Sequence, residues 1–324
     1  MFGTVIVALL GSSALFAADR IPALVTNLEL QGKITGAGTK RSLSVKLFGI
    51  ETPYVDSVEV NRAGEFHFRS LAPGDYTVAV VRSGLGEVRR TVVVSAALAD
   101  SGGVIRAIIP YTASEAAANP SGGVVSVHQL SVPPNAAAKY ADAQKRLALR
   151  DPQGAVRILE EAVELAPDFS AAWNALGVVA FQTGDDNRAE VLFRRALAAD
   201  PGAFDPLVNL GGVLIKKNAA AEALPFNQRA VRDRPEDALA NAQLGMNYFR
   251  LDNFDQAEQY LLAAKRLDPA HFSQPQVFLA NIYARRGNRQ AAIHELQDVL
   301  ALRPDGPLSG RIRQNLAELS ASRQ

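Results

Sequence analysis

Apolar residues follow two different rhythms along this chain, and the change of rhythm divides it. From about residue 26 to 110 they alternate with polar ones: Leu28 and Leu30; Leu43, Val45 and Leu47; Val58 and Val60; Phe66 and Phe68; Tyr76, Val78 and Val80; Val92 and Val94. Side chains two residues apart lie on one face of a strand. The runs are short and split by Gly and Pro turns, so they predict roughly seven strands packed as a small antiparallel β-sandwich. Further along, the spacing changes to three and four. Leu176, Val179 and Ala180 fall on one side of a helix, and Ala189, Phe193 and Ala196 on one side of the next.

The helical half repeats. Pro167, Pro201, Pro235, Pro269 and Pro304 stand 34, 34, 34 and 35 residues apart. Twelve residues before each stands Ala155, Ala189, Ala223, Ala257 or Ala292, and five before each a small residue such as Ala162 or Val299. A fixed period of this length signals stacked units, none of which buries its apolar face alone. The turns inside each unit carry helix breakers: Gly184-Asp185-Asp186-Asn187, Asn218, Asp252-Asn253 and Gly287-Asn288. Gly177, Gly211 and Gly245 each cost helix propensity, which implies a close approach at those points. Phe193 and Leu159 are of a size to fill the space between neighbours.

The clearest unit runs from Ser170 to Ala203, with Trp173, Leu176-Gly177, Ala189, Phe193, Ala196 and Pro201 in order. That order resembles the tetratricopeptide repeat. The unit from Ala238 to His271 keeps Leu244-Gly245, Tyr248, Ala257, Leu261, Ala264 and Pro269. The unit from Phe204 to Asp237 keeps Leu210-Gly211 but puts Asn227 where an apolar residue belongs. The first unit lacks the Leu-Gly pair and has Lys139 at the aromatic position; the last carries one extra residue near Phe272. The resemblance covers residues 136 to 305 as five copies and implies an all-α superhelix. Ile312, Leu316 and Leu319 then mark an amphipathic helix within 306–324, the solvent-facing cap that such arrays need.

Within the β half, Gly64-Glu65-Phe66-His67-Phe68 leads into Leu71-Ala72-Pro73-Gly74-Asp75-Tyr76. With Leu30-Gln31-Gly32-Lys33-Ile34, this resembles the carboxypeptidase regulatory-like domain, a transthyretin-like sandwich, assigned to residues 26–111. No peptidase accompanies it here, so the resemblance implies a fold and no activity. Residues 112–135 are rich in Ala, Ser, Gly and Pro and read as a flexible linker. In it, Val124, Val125, Val127 and Leu130 form an apolar segment that either docks as a strand or stays solvated. A boundary of this composition predicts two bodies that fold independently with few contacts between them.

The first residues add a location. Val5 to Leu10 and Ala14 to Ala18 form an apolar stretch that ends in small residues before Asp19-Arg20. It reads as a signal peptide over residues 1–18 and predicts export to the periplasm or cell envelope; the alternatives are a buried strand or an uncleaved anchor. No other stretch reaches membrane length.

Composition removes several classes. The formal net charge is +1 with no run of like charges, which argues against nucleic-acid binding through a basic field. Cysteine is absent, so disulfides, thiolate chemistry and Cys-based zinc sites are excluded. His67, His128, His271 and His294 are scattered, and Asp298 stands where a zinc-protease pattern beginning at His294-Glu295 needs its second His. No phosphate loop or serine nucleophile elbow is present. Neither a cofactor nor catalysis is expected.

What remains is a surface. The tetratricopeptide resemblance implies that the first helix of each pair lines a concave groove. Its inward residues here are Tyr140, Asn174, Val178, Phe181, Val208, Ile215, Met246, Phe249, Asn281 and Arg285. The same resemblance implies that a two-carboxylate clamp needs Lys and Asn at set offsets. Tyr140 and Gln144, or Asn174 and Val178, stand there instead. The groove is therefore expected to hold a protein or peptide partner on a mostly apolar strip, as a non-enzymatic interaction scaffold. Two other readings stay open: a carbohydrate- or surface-binding protein acting through the sandwich, and an accessory subunit of an envelope enzyme.

Overall fold

The computed structural model describes residues 27–36, 43–82, 86–118 and 131–321. The segment read as a signal, the apolar segment at 124–130 and His128 lie outside the described residues. Seven strands come first: β1 (Leu28–Thr35), β2 (Leu43–Gly49), β3 (Val55–Glu59), β4 (Glu65–Leu71), β5 (Gly74–Arg82), β6 (Gly86–Val94) and β7 (Val104–Pro110). They form two sheets, β4-β1-β7 and β3-β2-β5-β6. Neighbours pair antiparallel apart from β1 and β7, which run parallel. The alternating residues face each other between the sheets: Leu30, Val45, Leu47, Phe68, Val78 and Val80 are buried in one core. Tyr76 opens β5 with its ring inside and its hydroxyl donating to the Ala72 carbonyl at 2.9 Å.

A short helix follows, α1 (Ala113–Ala118). Its Ala116 is buried in the sandwich core, and its Glu115 forms a two-armed ion pair with Arg90 of β6 at 2.5 and 2.8 Å. The beginning of the segment read as a flexible linker is thus part of the sandwich. Its alanines are helix formers, and one carboxylate fixes the helix to an arginine that the β-sheet pleat turns inward at the sheet edge.

The repeats occupy α2 (Pro134–Ala148), α3 (Pro152–Leu165), α4 (Ser170–Gln182), α5 (Asp186–Ala199), α6 (Phe204–Lys216), α7 (Ala220–Asp233), α8 (Ala238–Arg250), α9 (Phe254–Leu267), α10 (Pro275–Arg285) and α11 (Arg289–Leu302), with α12 (Ser309–Ala321) as the cap. Most second helices start on a capping side chain: Asp151, Asp185, Asn253 and Asn288 each accept from the backbone three residues on. A Cβ on Gly177 would lie 2.5 Å from the Phe193 ring, and one on Gly245 2.7 Å from Leu261. The glycine thus makes room for the bulky side chain of the partner helix. At Gly211 that neighbour is Asn227, fully buried, whose amide donates to Asn247 at 2.9 Å while Asn247 donates to the Ala220 carbonyl. A short chain of amide hydrogen bonds replaces the apolar plug expected there.

The sandwich and the array do not stand apart. The outer face of the four-stranded sheet lies against the concave side of the array. Ala79 belongs to that outer face, opposite Lys46 on β2 and Arg89 on β6, yet it is 0% exposed. The expectation of two bodies with few contacts between them is overturned, because side chains from helix ends and inter-repeat turns of the array bond the chain's own β-sheet.

Candidate protein-interaction surface

The groove is built by the first helix of each pair, α2, α4, α6, α8 and α10, whose inward positions recur once per repeat. Tyr140 on α2 is half-buried, its ring 5.2 Å from that of Phe169, and burial raises its hydroxyl pKa. On α4, Asn174 accepts a hydrogen bond from Asn209 of the next unit at 2.9 Å. Val178 and Phe181 are half-buried; the Lys216 ammonium sits 4.5 Å over the Phe181 ring and pairs with Asp186 at 2.7 Å.

The other half of the strip is packing. Val208, Ile215, Met246, Phe249 and Asn281 are buried. Phe249 meets Phe254 and Phe278 edge-on at 5.5 and 5.4 Å, and Arg285 covers both Phe249 and Phe254. Phe249 thereby reaches Phe278 of the following unit. An aromatic side chain can span the distance between neighbouring helices, and here it does.

A second set of residues, at the edges of the groove, grips the sandwich. Each of the five copies supplies at least one. In the first, Arg150 donates to the Ser70 carbonyl and lies 5.6 Å over the Tyr54 ring. In the second, the Gln182 amide donates to the Gly49 carbonyl at 2.8 Å. In the third, Asp205 pairs with Arg89 at 3.2 Å, and Arg234 lies 4.0 Å from Glu87. In the fourth, Asp268 accepts the backbone N–H of Thr91 at 2.8 Å. In the fifth, Arg303 pairs with Asp75 at 3.0 Å and also donates to the Ala270 carbonyl.

Charge and burial are coupled across this seam. Burial raises the pKa of Asp75, and Arg303 opposes the shift. Burial likewise raises Asp268, against the hydrogen bonds it accepts from Thr91. Asp205 ends below the usual carboxylate range because burial, which pushes it up, is outweighed by Arg89 and Arg234. Asp237, which caps α8 through the Ala240 N–H at 2.8 Å, is raised by burial. Val55 of β3 adds the apolar part, packing against the core of the array.

Sequence reasoning found the groove helices and missed the grip. A signal was present: the residues just before the repeat prolines of the last three copies are Arg234, Asp268 and Arg303. A proline constrains the backbone before it and says nothing of side-chain type. Charged side chains at that place in three successive copies therefore needed another reason, and the sandwich supplies it.

The histidines do not gather. His67 bonds Glu29 at 2.8 Å on the outer face of the other sheet, His271 is buried in an inter-repeat turn, and His294 is 3.7 Å from Asp298. Among the described residues no three side chains are placed to hold a metal ion, and no helix is long and apolar enough to cross a membrane.

Comparison with known proteins agrees with the helical geometry. The tetratricopeptide repeat family matches residues 140–204, 187–238 and 238–271. The helical half of the chain is therefore an array of tetratricopeptide repeats, a fold that serves as a protein-interaction scaffold. Among relatives, the human cell division cycle protein 16 homolog is 31% identical over 119 residues, which are 34% of this chain and 19% of that protein. Cellulose synthase 1 operon protein C of Komagataeibacter xylinus is 28% identical over 165 residues, 47% of this chain and 12% of that protein. The matches thus span less than a fifth of either relative. The solved APC/C hetero-tetramer Cut9-Hcn1 superposes with a TM-score of 0.51 at 18% identity, over 59% of this chain and 37% of that one, a likeness of fold alone.

Proposed function

We propose that this chain is a non-enzymatic scaffold of the cell envelope. It binds a protein or peptide partner on the concave side of its repeats, through those of the ten inward positions from Tyr140 to Arg285 that keep accessible surface. The observation that carries this reading is the seating of the sandwich: the concave side already holds a folded body, through side chains drawn from every repeat. Of the apolar strip, Val178 and Phe181 keep accessible surface and are the contact points, while Ile215, Met246 and Phe249 are buried. The sandwich is a carboxypeptidase regulatory-like domain used as a structural module, a reading supported by the glycine turn at Gly64 and the Tyr76 corner. Envelope location rests on the apolar leader and accords with the relationship to a cellulose synthase operon protein.

The test is affinity capture from envelope extract with the full chain and with Phe181→Glu. The charged variant is expected to lose the captured partner while keeping its circular dichroism spectrum. A folded variant that captures the same partner equally well would move the site off the groove.

A further inference from the structure

The outer face of β6 meets the array residue by residue. Glu87, Arg89 and Thr91 alternate along the strand and share that face, and their register partners on β5 are Val81, Ala79 and Thr77. Arg89 pairs with Asp205, Glu87 pairs with Arg89 at 2.6 Å and lies 4.0 Å from Arg234, and the Thr91 N–H is taken by Asp268. Glu87 to Thr91 is four strand residues, a span of about 13 Å. Arg234 and Asp268, one repeat apart, thus meet strand positions four residues apart. Arg234 and Asp268 hold the same place, just before the proline, in two successive repeats. β6 is also an edge strand, and an edge offers unpaired main-chain groups.

We propose that the rim of the groove in the third and fourth repeats is a reader of extended strands, that β6 fills it in cis, and that the external partner it fits is an extended segment with Glu, Arg and a free main-chain N–H at alternate positions. The inference deepens the scaffold reading and rests on it. Asp205 supplies selectivity for the arginine, Arg234 for the acid two residues before it, and Asp268 the main-chain acceptor that any strand edge satisfies. A segment carrying only apolar residues would forfeit both the pairing with Asp205 and the approach to Arg234. Because β6 is tethered, its effective concentration is high, and an external strand gains access only when the cis strand is weakened.

The test uses the full chain and a labelled peptide with the β6 sequence, Gly86 to Val94, followed by fluorescence anisotropy. The unmodified chain is expected to bind it weakly. Arg89→Ala in the chain removes the cis arginine and leaves the array intact, and should tighten peptide binding at least tenfold. Arg89→Lys, a milder change that keeps the charge, should give a smaller gain in the same direction. Adding Asp205→Asn to the Arg89→Ala chain, or R89A to the peptide, should abolish the gain. Circular dichroism on each sample establishes that the sheets and helices persist. A folded Arg89→Ala chain that binds no more tightly than the unmodified one overturns the inference, as does equal binding of the R89A peptide. If the peptide fails while Phe181→Glu still releases the envelope partner, strand reading is wrong and the scaffold stands; if Phe181→Glu also has no effect, the groove itself is wrong.

Discussion

One backbone feature recurs in every repeat at the turn between its two helices. Arg150, Gly184, Asn218, Asp252 and Gly287 occupy corresponding places and all have positive φ, between 57° and 86°. Gly, Asn and Asp accept that conformation readily. Arg150 does not, and it is the one that reaches the sandwich, at Ser70 and Tyr54. The strain, on the order of 1–2 kcal/mol, is retained for that contact. Arg150→Asn relieves the strain and removes the contact, so its melting temperature is expected to stay close to that of the parent. Proteolysis near Tyr54 should quicken. A large loss of stability would show that the arginine is needed for the turn itself.

His271 carries a pH effect at the same scale. It is buried, stacked on Phe272 with ring centroids 4.4 Å apart and bonded to Ser273 at 2.7 Å. Burial first, and the Arg303 charge second, pull its imidazole down to about 3. An unfolded histidine titrates near ~6.5. Between those values the unfolded chain binds a proton that the folded one does not, so this residue's contribution to stability falls as pH drops from about 6.5 toward 3. His271→Asn should flatten the fall in melting temperature between pH 7 and 5 relative to the parent. An unchanged slope would mean that the imidazole is solvated.

At the scale of elements, the sequence reading succeeded where a pattern has a single cause. Leu-Gly pairs and breakers mark helices because packing and turn geometry each narrow the residue types that fit. Gly177 illustrates it: Gly177→Ala would press a methyl group to 2.5 Å from Phe193. It should cost about 1–3 kcal/mol, the usual range for overpacking a core, in urea denaturation; no change would mean that the ring has room to move. The reading was weaker where a pattern has two causes. β7 has no clean alternation in Val104-Ile105-Arg106-Ala107-Ile108-Ile109, because Ile109 is buried while Ile108 points to solvent. The alanines of α1 look like linker by composition, and only the Arg90–Glu115 pair and the burial of Ala116 make them structure.

At the scale of the whole molecule, the sequence could not reveal that the two rhythms meet. The contact is made mainly by charged and amide side chains, which a hydrophobicity pattern assigns to solvent. Their partners lie 80 to 228 residues away along the chain. The ten positions implied by the repeat resemblance lie on α2, α4, α6, α8 and α10, and the sequence could not separate Phe181, which keeps surface, from Phe249, which is packed. The seam also has a stability signature. Arg303 and Asp75 have side chains only 5% and 12% exposed. Arg303→Met leaves the Asp75 carboxylate buried without its partner and should cost about 3–5 kcal/mol, while adding Asp75→Asn should restore most of it. Urea denaturation at neutral pH decides, and a single variant as stable as the parent would show that the carboxylate is hydrated.

The seating of the sandwich on the repeats is the claim on which the rest depends, and amide hydrogen exchange at Thr91 tests it most directly. That N–H is taken by Asp268 from the far side of the seam. In the full chain it is expected to exchange slowly, and Asp268→Ala should speed it at least tenfold while amides inside α4 keep their protection. Fast exchange at Thr91 in the unmodified chain, or a rate untouched by Asp268→Ala, would contradict the docked arrangement and return the groove to solvent.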